Sequence, residues 1–364
     1  MQAANGHPAG VGRAACATWP AGPDNLAIVA TRDTDWDGVR LHVVTGKGGT
    51  GKTTVAGALA LALAADGKKV LLIEVEGRQG IAQLFDVPPL PYSERRIAVG
   101  LGTRAHQGGD VFALVADPES ALIEYLEMFY SLRHAGTALA RLGVMDFATT
   151  IAPGLRDVLL TGKAAEAVRR KDDKRRRTYD AVVMDAPPTG RIGRFLNVSS
   201  EVSDLARVGP IRGHADTVQK VIRSPETVVH FVTVLEEMPV QETLDGIAEL
   251  RTLGGIRPGG IIVNMTRPLN LPPGQLEAAA NSDIDQAQLA LGLKAAGLDD
   301  SANLAAALAA ELTAEAKTAL GQQLQQQQLD TARQPCYHLP WLSGDIGLAG
   351  LYRLASALRE QKAA

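Results

Sequence analysis

The stretch VVTGKGGTGKTT, residues 43–54, constrains this chain more than any other. Its inner part, residues 46–53, fits G-x-x-x-x-G-K-[ST], with apolar residues before it and TTVAGALALALAADG at its end. Glycines let successive backbone N–H groups turn inward around anionic oxygens, and the N-terminus of the following helix adds a positive dipole. The pattern therefore predicts a buried strand running into the loop. It also predicts a helix from Thr53, closed near Gly67 by a C-cap glycine. In a nucleotide site, Gly46, Lys47, Gly48, Gly49, Thr50, Gly51 and Thr54 line the phosphates, Lys52 contacts the β- and γ-phosphates, and the Thr53 hydroxyl ligates Mg2+.

Beyond this loop, short apolar runs of strand length recur at 41–44, 70–75, 111–116, 181–184, 228–235, 261–263 and 337–339. Stretches with helical spacing separate most of them, which argues for a parallel sheet covered on both faces. The expected fold is α/β, a doubly wound, mostly parallel P-loop NTPase sheet. Residues 119–168 are nearly all helical in pattern, with Leu122, Tyr125, Leu126 and Phe129 on one apolar stripe; they read as an inserted helical subdomain. Residues 271–329 are rich in Ala, Leu and Gln and read as helices or a poorly ordered excursion. Residues 1–38 lack periodicity and read as a flexible extension, so the P-loop domain is placed at 39–364.

Composition narrows the partners. A net charge of −3 predicts no general affinity for nucleic acid or anionic membrane. Two cysteines, Cys16 and Cys336, exclude a disulfide framework and a four-cysteine metal site within one chain. The first forty residues lack a hydrophobic segment of the secretory kind, and a cytoplasmic location is expected. The basic run RRKDDKRRR, residues 169–177, reads first as a solvated helix end and loop, with a docking patch for an acidic partner as the alternative.

A P-loop enzyme needs a carboxylate near the metal at the end of a neighbouring strand. YDAVVMDAPPTG supplies Asp185, followed by a turn-forming Pro/Gly segment. A group must also orient the attacking water. KKVLLIEVEGRQG ends in Glu74 and Glu76, which strand alternation places on the same side. Glu76, at the very end, is the better catalytic candidate, and Glu74 is left to a structural or ion-pairing role. Asn264 ends the strand GGIIVN, where a carboxamide can pair with an adenine edge, although a strand-ending Asn is more often a turn residue.

Together these segments resemble a family. KGGTGKTT, with its additional Lys47, is similar to the deviant Walker A loop of the MinD, ParA, nitrogenase iron protein and arsenite-pump ATPase class. Within that class MDAPPTGRIGRFL, DPESALIEYLEMF, ETVVHFVTVLEEMPVQET, IIVN and YHLPWLSGDIGLAGL resemble the arsenical pump-driving and tail-anchored-protein-targeting ATPases. The chain most resembles their single-domain "anion-transporting ATPase" branch of actinobacteria. The resemblance implies ATP and Mg2+ as cofactors, with Thr53 and Asp185 toward the metal, and Asn264 and Pro340 near the base. It also implies a homodimer or a heterodimer with a paralogue, in which Lys47 reaches the partner's phosphates, and a membrane-protein client or membrane partner. Glu76 stands where the family places an Asp that activates water. The zinc-holding CxxC of the targeting factors and the thiols of a metalloid site are missing, and the insertion after MDAPPTGRIGRFL, about 197–225, is short. The expected function is therefore a dimeric switch ATPase acting on an unknown client. An oxyanion-pump motor, a MinD- or ParA-like positioning ATPase and a binding module without turnover remain as alternatives.

Overall fold

The computed structural model describes residues 35–102, 107–130, 153–197, 210–267, 271–344 and 346–364. Eight strands form one sheet in the order β3-β4-β2-β5-β1-β6-β7-β8. They are β1 (Leu41–Gly46), β2 (Val70–Glu74), β3 (Arg95–Val99), β4 (Asp110–Val115), β5 (Ala181–Asp185), β6 (Thr227–Thr233), β7 (Pro258–Thr266) and β8 (Cys336–Pro340). Every neighbouring pair is parallel except β3 with β4. The central strands LHVVTG, VLLIE, AVVMD and TVVHFVT are buried along their whole length. Continuous apolar runs of this kind suit strands covered on both faces.

All seven apolar runs correspond to strands; β3 has no such run to announce it. Its sequence, RRIAV, starts with two arginines and is half-exposed, as an edge strand permits. Edge position removes the demand for a continuous apolar run, and with it the sequence signal.

Helices cover both faces. On one side, α1 (Lys52–Leu63) and the last helix, α11 (Leu348–Glu360), enclose Val44, Leu72, Val183 and Val232. On the other lie α4 (Pro153–Arg169), α5 (Thr189–Leu196), α6 (Pro210–Ile222) and α7 (Glu237–Thr252), packed on Val43, Ile73, Met184 and Phe231. The helix after the loop starts at Lys52, and its exit through a 3-10 turn ends at Gly67 with φ 81°, as the C-cap reading requires.

Of the helical insertion, α3 (Pro118–Tyr130) and α4 are described, and residues 131–152 lie outside the described residues. Leu122 of the apolar stripe is buried with Ala121 against Leu159 of α4; the side chains of Tyr125, Leu126 and Phe129 lie outside the description. Short α2 (Gly80–Leu84) follows β2. The Ala- and Gln-rich region forms α8 (Pro273–Ala280), α9 (Gln286–Ala295) and α10 (Ser301–Asp330). With 30 residues, α10 is about 45 Å long. It buries Leu329 in the main core and Ala316 in a small separate cluster with Leu276, Ala279 and Ala280.

The basic run 169–177 turns back on itself. A bridge joins Lys171 to Arg177, and Asp172 accepts the N–H groups of Lys174 and Arg176. Arg170 pairs with Glu94 and Glu166, and Arg177 with Glu226. Those ion pairs fit the solvated helix end and loop.

Residues 35–38 are tied to the domain, with Trp36 buried. The Asp35 N–H donates to the Lys362 carbonyl, the Tyr337 hydroxyl donates to the Asp35 carboxylate at 2.6 Å, and Trp36 meets the His230 ring edge-on. His230 of β6 also lies 3.1 Å from His42 of β1, ring nitrogen to ring nitrogen. The Gly260 N–H donates to His230 Nδ1, so neutral His230 carries its proton on Nε2 and donates it to His42 Nδ1. Burial pushes His42 down to about 3 and His230 well below the usual histidine range.

Candidate active site

The phosphate loop is a close fit between β1 and its neighbours. A Cβ at Gly46 would lie 2.2 Å from the Val232 carbonyl oxygen of β6, so only glycine permits this approach. The next turn is closed by Thr50, whose hydroxyl donates to the Lys47 carbonyl at 2.8 Å. Gly51 has φ 85° and caps α1, and a Cβ there would lie 2.4 Å from Asn264 Nδ2. That amide donates to the Thr50 carbonyl at 2.9 Å. A left-handed Met265 (φ 58°) and a register shift between Val263 and Thr266 set this end of β7 apart from a regular strand. Bulges of this kind re-aim side chains beside active sites. Asn264 is thus found at the loop, with one of its two amide N–H donors given to the loop's own backbone.

Asp185 closes β5, opposite Val44 of β1 and Glu74 of β2. Its Oδ2 accepts from the Thr53 hydroxyl at 2.7 Å. Its Oδ1 is buried and has no hydrogen-bond partner among the described residues. Burial pushes the Asp185 carboxyl up to about 6, against the Thr53 hydrogen bond and the Lys52 charge, which pull it down. Beside it Glu74 is buried; one oxygen accepts the Ile81 N–H of α2, and the other has no partner among the described residues. Glu74 therefore takes a structural role, capping α2, while its second oxygen stays unsatisfied.

Two partnerless carboxylate oxygens in register on adjacent strands, next to a threonine hydroxyl, suit a hard divalent cation. No group of three or more His, Cys, Asp or Glu side chains capable of holding a metal occurs among the described residues. A cation here would complete its shell with water and substrate oxygens, as Mg2+ commonly does.

Glu76 departs from the expected alternation. The strand ends at Glu74, and Val75 joins the core face of Ile73. Glu76 lines a cleft with Arg78, Arg156, Asp157, Pro187 and Arg191, whereas Glu74 turns to α2. Period-two geometry does not extend past the last ladder residue. In that cleft Arg78 lies 3.9 Å from Glu76 and Arg191 lies 3.8 Å from Asp157.

Lys47, expected to act across a dimer, has a partner within this chain that sequence reasoning missed. Its ammonium donates to Glu242 of α7 at 2.5 Å. Glu242 sits in mid-helix, 195 residues downstream, and no motif marks it. Pro340 ends β8 opposite Thr266, two residues after Asn264 on β7. Just beyond it the Arg267 guanidinium lies 3.6 Å from the exposed Trp341 ring, another pair without a sequence signature.

Residues 39–222 match the family model described as anion-transporting ATPase. ATPase BagA of Mycobacterium tuberculosis is 51% identical over 331 residues, which is 89% of this chain and 94% of the relative. The chain belongs to the anion-transporting ATPase family. It is an ATP hydrolase and binds nucleotide. Putative arsenical pump-driving ATPase 2 of Aquifex aeolicus is 24% identical over 261 residues, covering 64% of this chain and 82% of that one. ATPase GET3 of Kluyveromyces lactis is 28% identical over 204 residues, 52% of this chain and 54% of the relative. The family segment contains the phosphate loop, Glu76 and Asp185 of this anion-transporting ATPase; Glu242, Asn264 and Pro340 lie after it.

Proposed function

We propose that this ATPase is a Mg-ATP-dependent dimeric switch, coupling hydrolysis to opening and closing around a client. The observation that carries the reading is the contact of Thr53 with Asp185, whose other oxygen is left buried without a partner among the described residues. In this reading Thr53 and Asp185 hold Mg2+, Asp185 through water. Mg2+ held there would supply positive charge against the phosphate oxygens. Residues 46–54 cradle the phosphates with backbone N–H groups, and Lys52 supplies a fixed positive charge. Glu76 orients the attacking water from its cleft; its extra methylene relative to Asp is accommodated because it lies beyond the strand end. Asn264 holds the loop through Thr50 and, with Pro340, borders the base. Lys47 reaches the partner's phosphates, where a cation supplied in trans stabilises transition-state charge and ties hydrolysis to closure.

Two other readings have less support. An arsenite-responsive motor needs converging thiols, and the one cysteine among the described residues is Cys336, which is half-buried. A membrane-positioning role for the C-terminal helix meets a packing objection: Leu351, Leu354 and Leu358 of α11 are already buried in the core shared with α1. No helix among the described residues is long and apolar enough to cross a membrane.

The test is ATP hydrolysis and ATP-dependent association, measured together for wild type, Lys52→Ala, Lys47→Ala and Glu76→Gln. Lys52→Ala should lose nucleotide binding. Lys47→Ala should bind ATP yet fail to associate or turn over, and Glu76→Gln should associate and turn over slowly. Wild-type hydrolysis by Lys47→Ala would sink the dimeric mechanism.

A further inference from the structure

The ion pair between Lys47 and Glu242 joins two parts of the site, and α7 connects it to a third. Lys47 Nζ lies 2.5 Å from Glu242 Oε1, with roughly a third of each side chain exposed (30% and 36%). One turn further along the same face of α7 is Gly246, where a Cβ would lie 2.4 Å from Thr189 Cγ2. Thr189 is the first residue of α5 and follows Asp185 by only four positions. The intervening segment is tied to β1, because Thr45 donates to the Pro187 carbonyl and the Ala186 N–H to Val44. One face of α7 thus touches the mouth of the phosphate loop through Glu242 and the chain after Asp185 through Gly246.

We propose that Glu242 is a positioning residue for Lys47: it holds the ammonium at the mouth of its own loop until phosphate displaces it. This rests on the reading of Lys47 as the lysine that acts on phosphate across the dimer. A partly exposed ion pair is weak enough to exchange, and a multiply charged phosphate outcompetes one carboxylate. Glu242 therefore sets how much ATP is needed for closure, and the contact at Gly246 passes movement of the Asp185 segment to the same helix.

The experiment follows hydrolysis and ATP-dependent association of the full chain against ATP concentration. It compares wild type, Glu242→Gln, Glu242→Asp, Lys47→Ala and the double variant Glu242→Gln/Lys47→Ala. Glu242→Gln should lower the apparent KM and the ATP needed for half-maximal association about threefold to fivefold, with a smaller change in kcat. Glu242→Asp, which keeps the charge on a shorter arm, should fall between wild type and Gln. Nucleotide affinity in the Lys47→Ala background should not respond to Glu242→Gln, since there is no ammonium left to hold. An equal shift in both backgrounds would show a general effect of α7 and overturn the proposal. So would no shift in Glu242→Gln while Lys47→Ala is inactive, which leaves the dimer reading standing. Wild-type behaviour of Lys47→Ala would overturn both.

Discussion

Thr53 of α1 and Asp185 of β5, 132 residues apart, are joined by a hydrogen bond of 2.7 Å at the bottom of the phosphate loop. This bond is the one hydrogen bond satisfying the Asp185 carboxylate among the described residues, and the aspartate's other oxygen has none. Thr53→Val removes it without changing shape much. Leaving a buried acceptor unmet costs about 1–3 kcal/mol, so the nucleotide-free protein should melt several degrees lower. Thermal unfolding checks this, and an unchanged melting temperature would mean that the bond carries no stability.

Asp185→Asn should do the opposite to the free protein. The carboxyl is raised from 3.8 to about 6 by burial, so the folded state binds its proton more tightly than the unfolded chain. Its contribution to stability is complete below pH 3.8 and is lost as pH rises through about 6. The carboxamide of the variant stays neutral throughout. Above pH 7 the variant should therefore be more stable than wild type by on the order of 3 kcal/mol, and the gain should shrink toward pH 4. Hydrolysis should fall by at least about a hundredfold. Denaturant unfolding at pH 4.5 and pH 8 separates the two effects.

The buried pair His42 and His230 points toward acid lability. Both are held neutral, His42 with a value of about 3 against an ordinary 6.5. Stability from a depressed histidine is present above 6.5 and is lost as pH falls toward the folded value. His42→Asn/His230→Asn should flatten the loss of stability between pH 6.5 and pH 4, while lowering stability at neutral pH. A pH series of thermal melts reads both.

Asn264→Asp exchanges a donor for an acceptor opposite the Thr50 carbonyl. Two oxygens about 2.9 Å apart repel, and the loop turn at Thr50–Gly51 should open. ATP affinity should fall about tenfold or more, and because Asn264 is buried, the free protein should also melt lower. Nucleotide titration checks it, and wild-type affinity would show that the loop is held without this amide.

Much of the fold is legible because parallel strands buried on both faces write continuous apolar runs. The phosphate loop is legible from its G-x-x-x-x-G-K-[ST] spacing, and Asp185 from its place at the end of such a run. What escapes depends on contacts between distant segments. The arginines of β3 hide an edge strand. The direction expected for Glu76 borrows the alternation of a strand that has already ended at Glu74. Asn264 is found by position, but its bond to Thr50 follows from the bulge at Met265. Glu242 is a half-exposed glutamate within a helix, and only the fold brings it to Lys47.

The position of β1 has a consequence for how the molecule comes into being. Its two neighbours are β5, starting at Ala181, and β6, starting at Thr227. During synthesis the strand that carries the phosphate loop has neither neighbour until half the chain is made, and lacks the second until β6 has been made. Pairings this distant are slow to form because a long loop must close first. The strand that leads into the phosphate loop therefore stays without a sheet neighbour through about the first half of elongation.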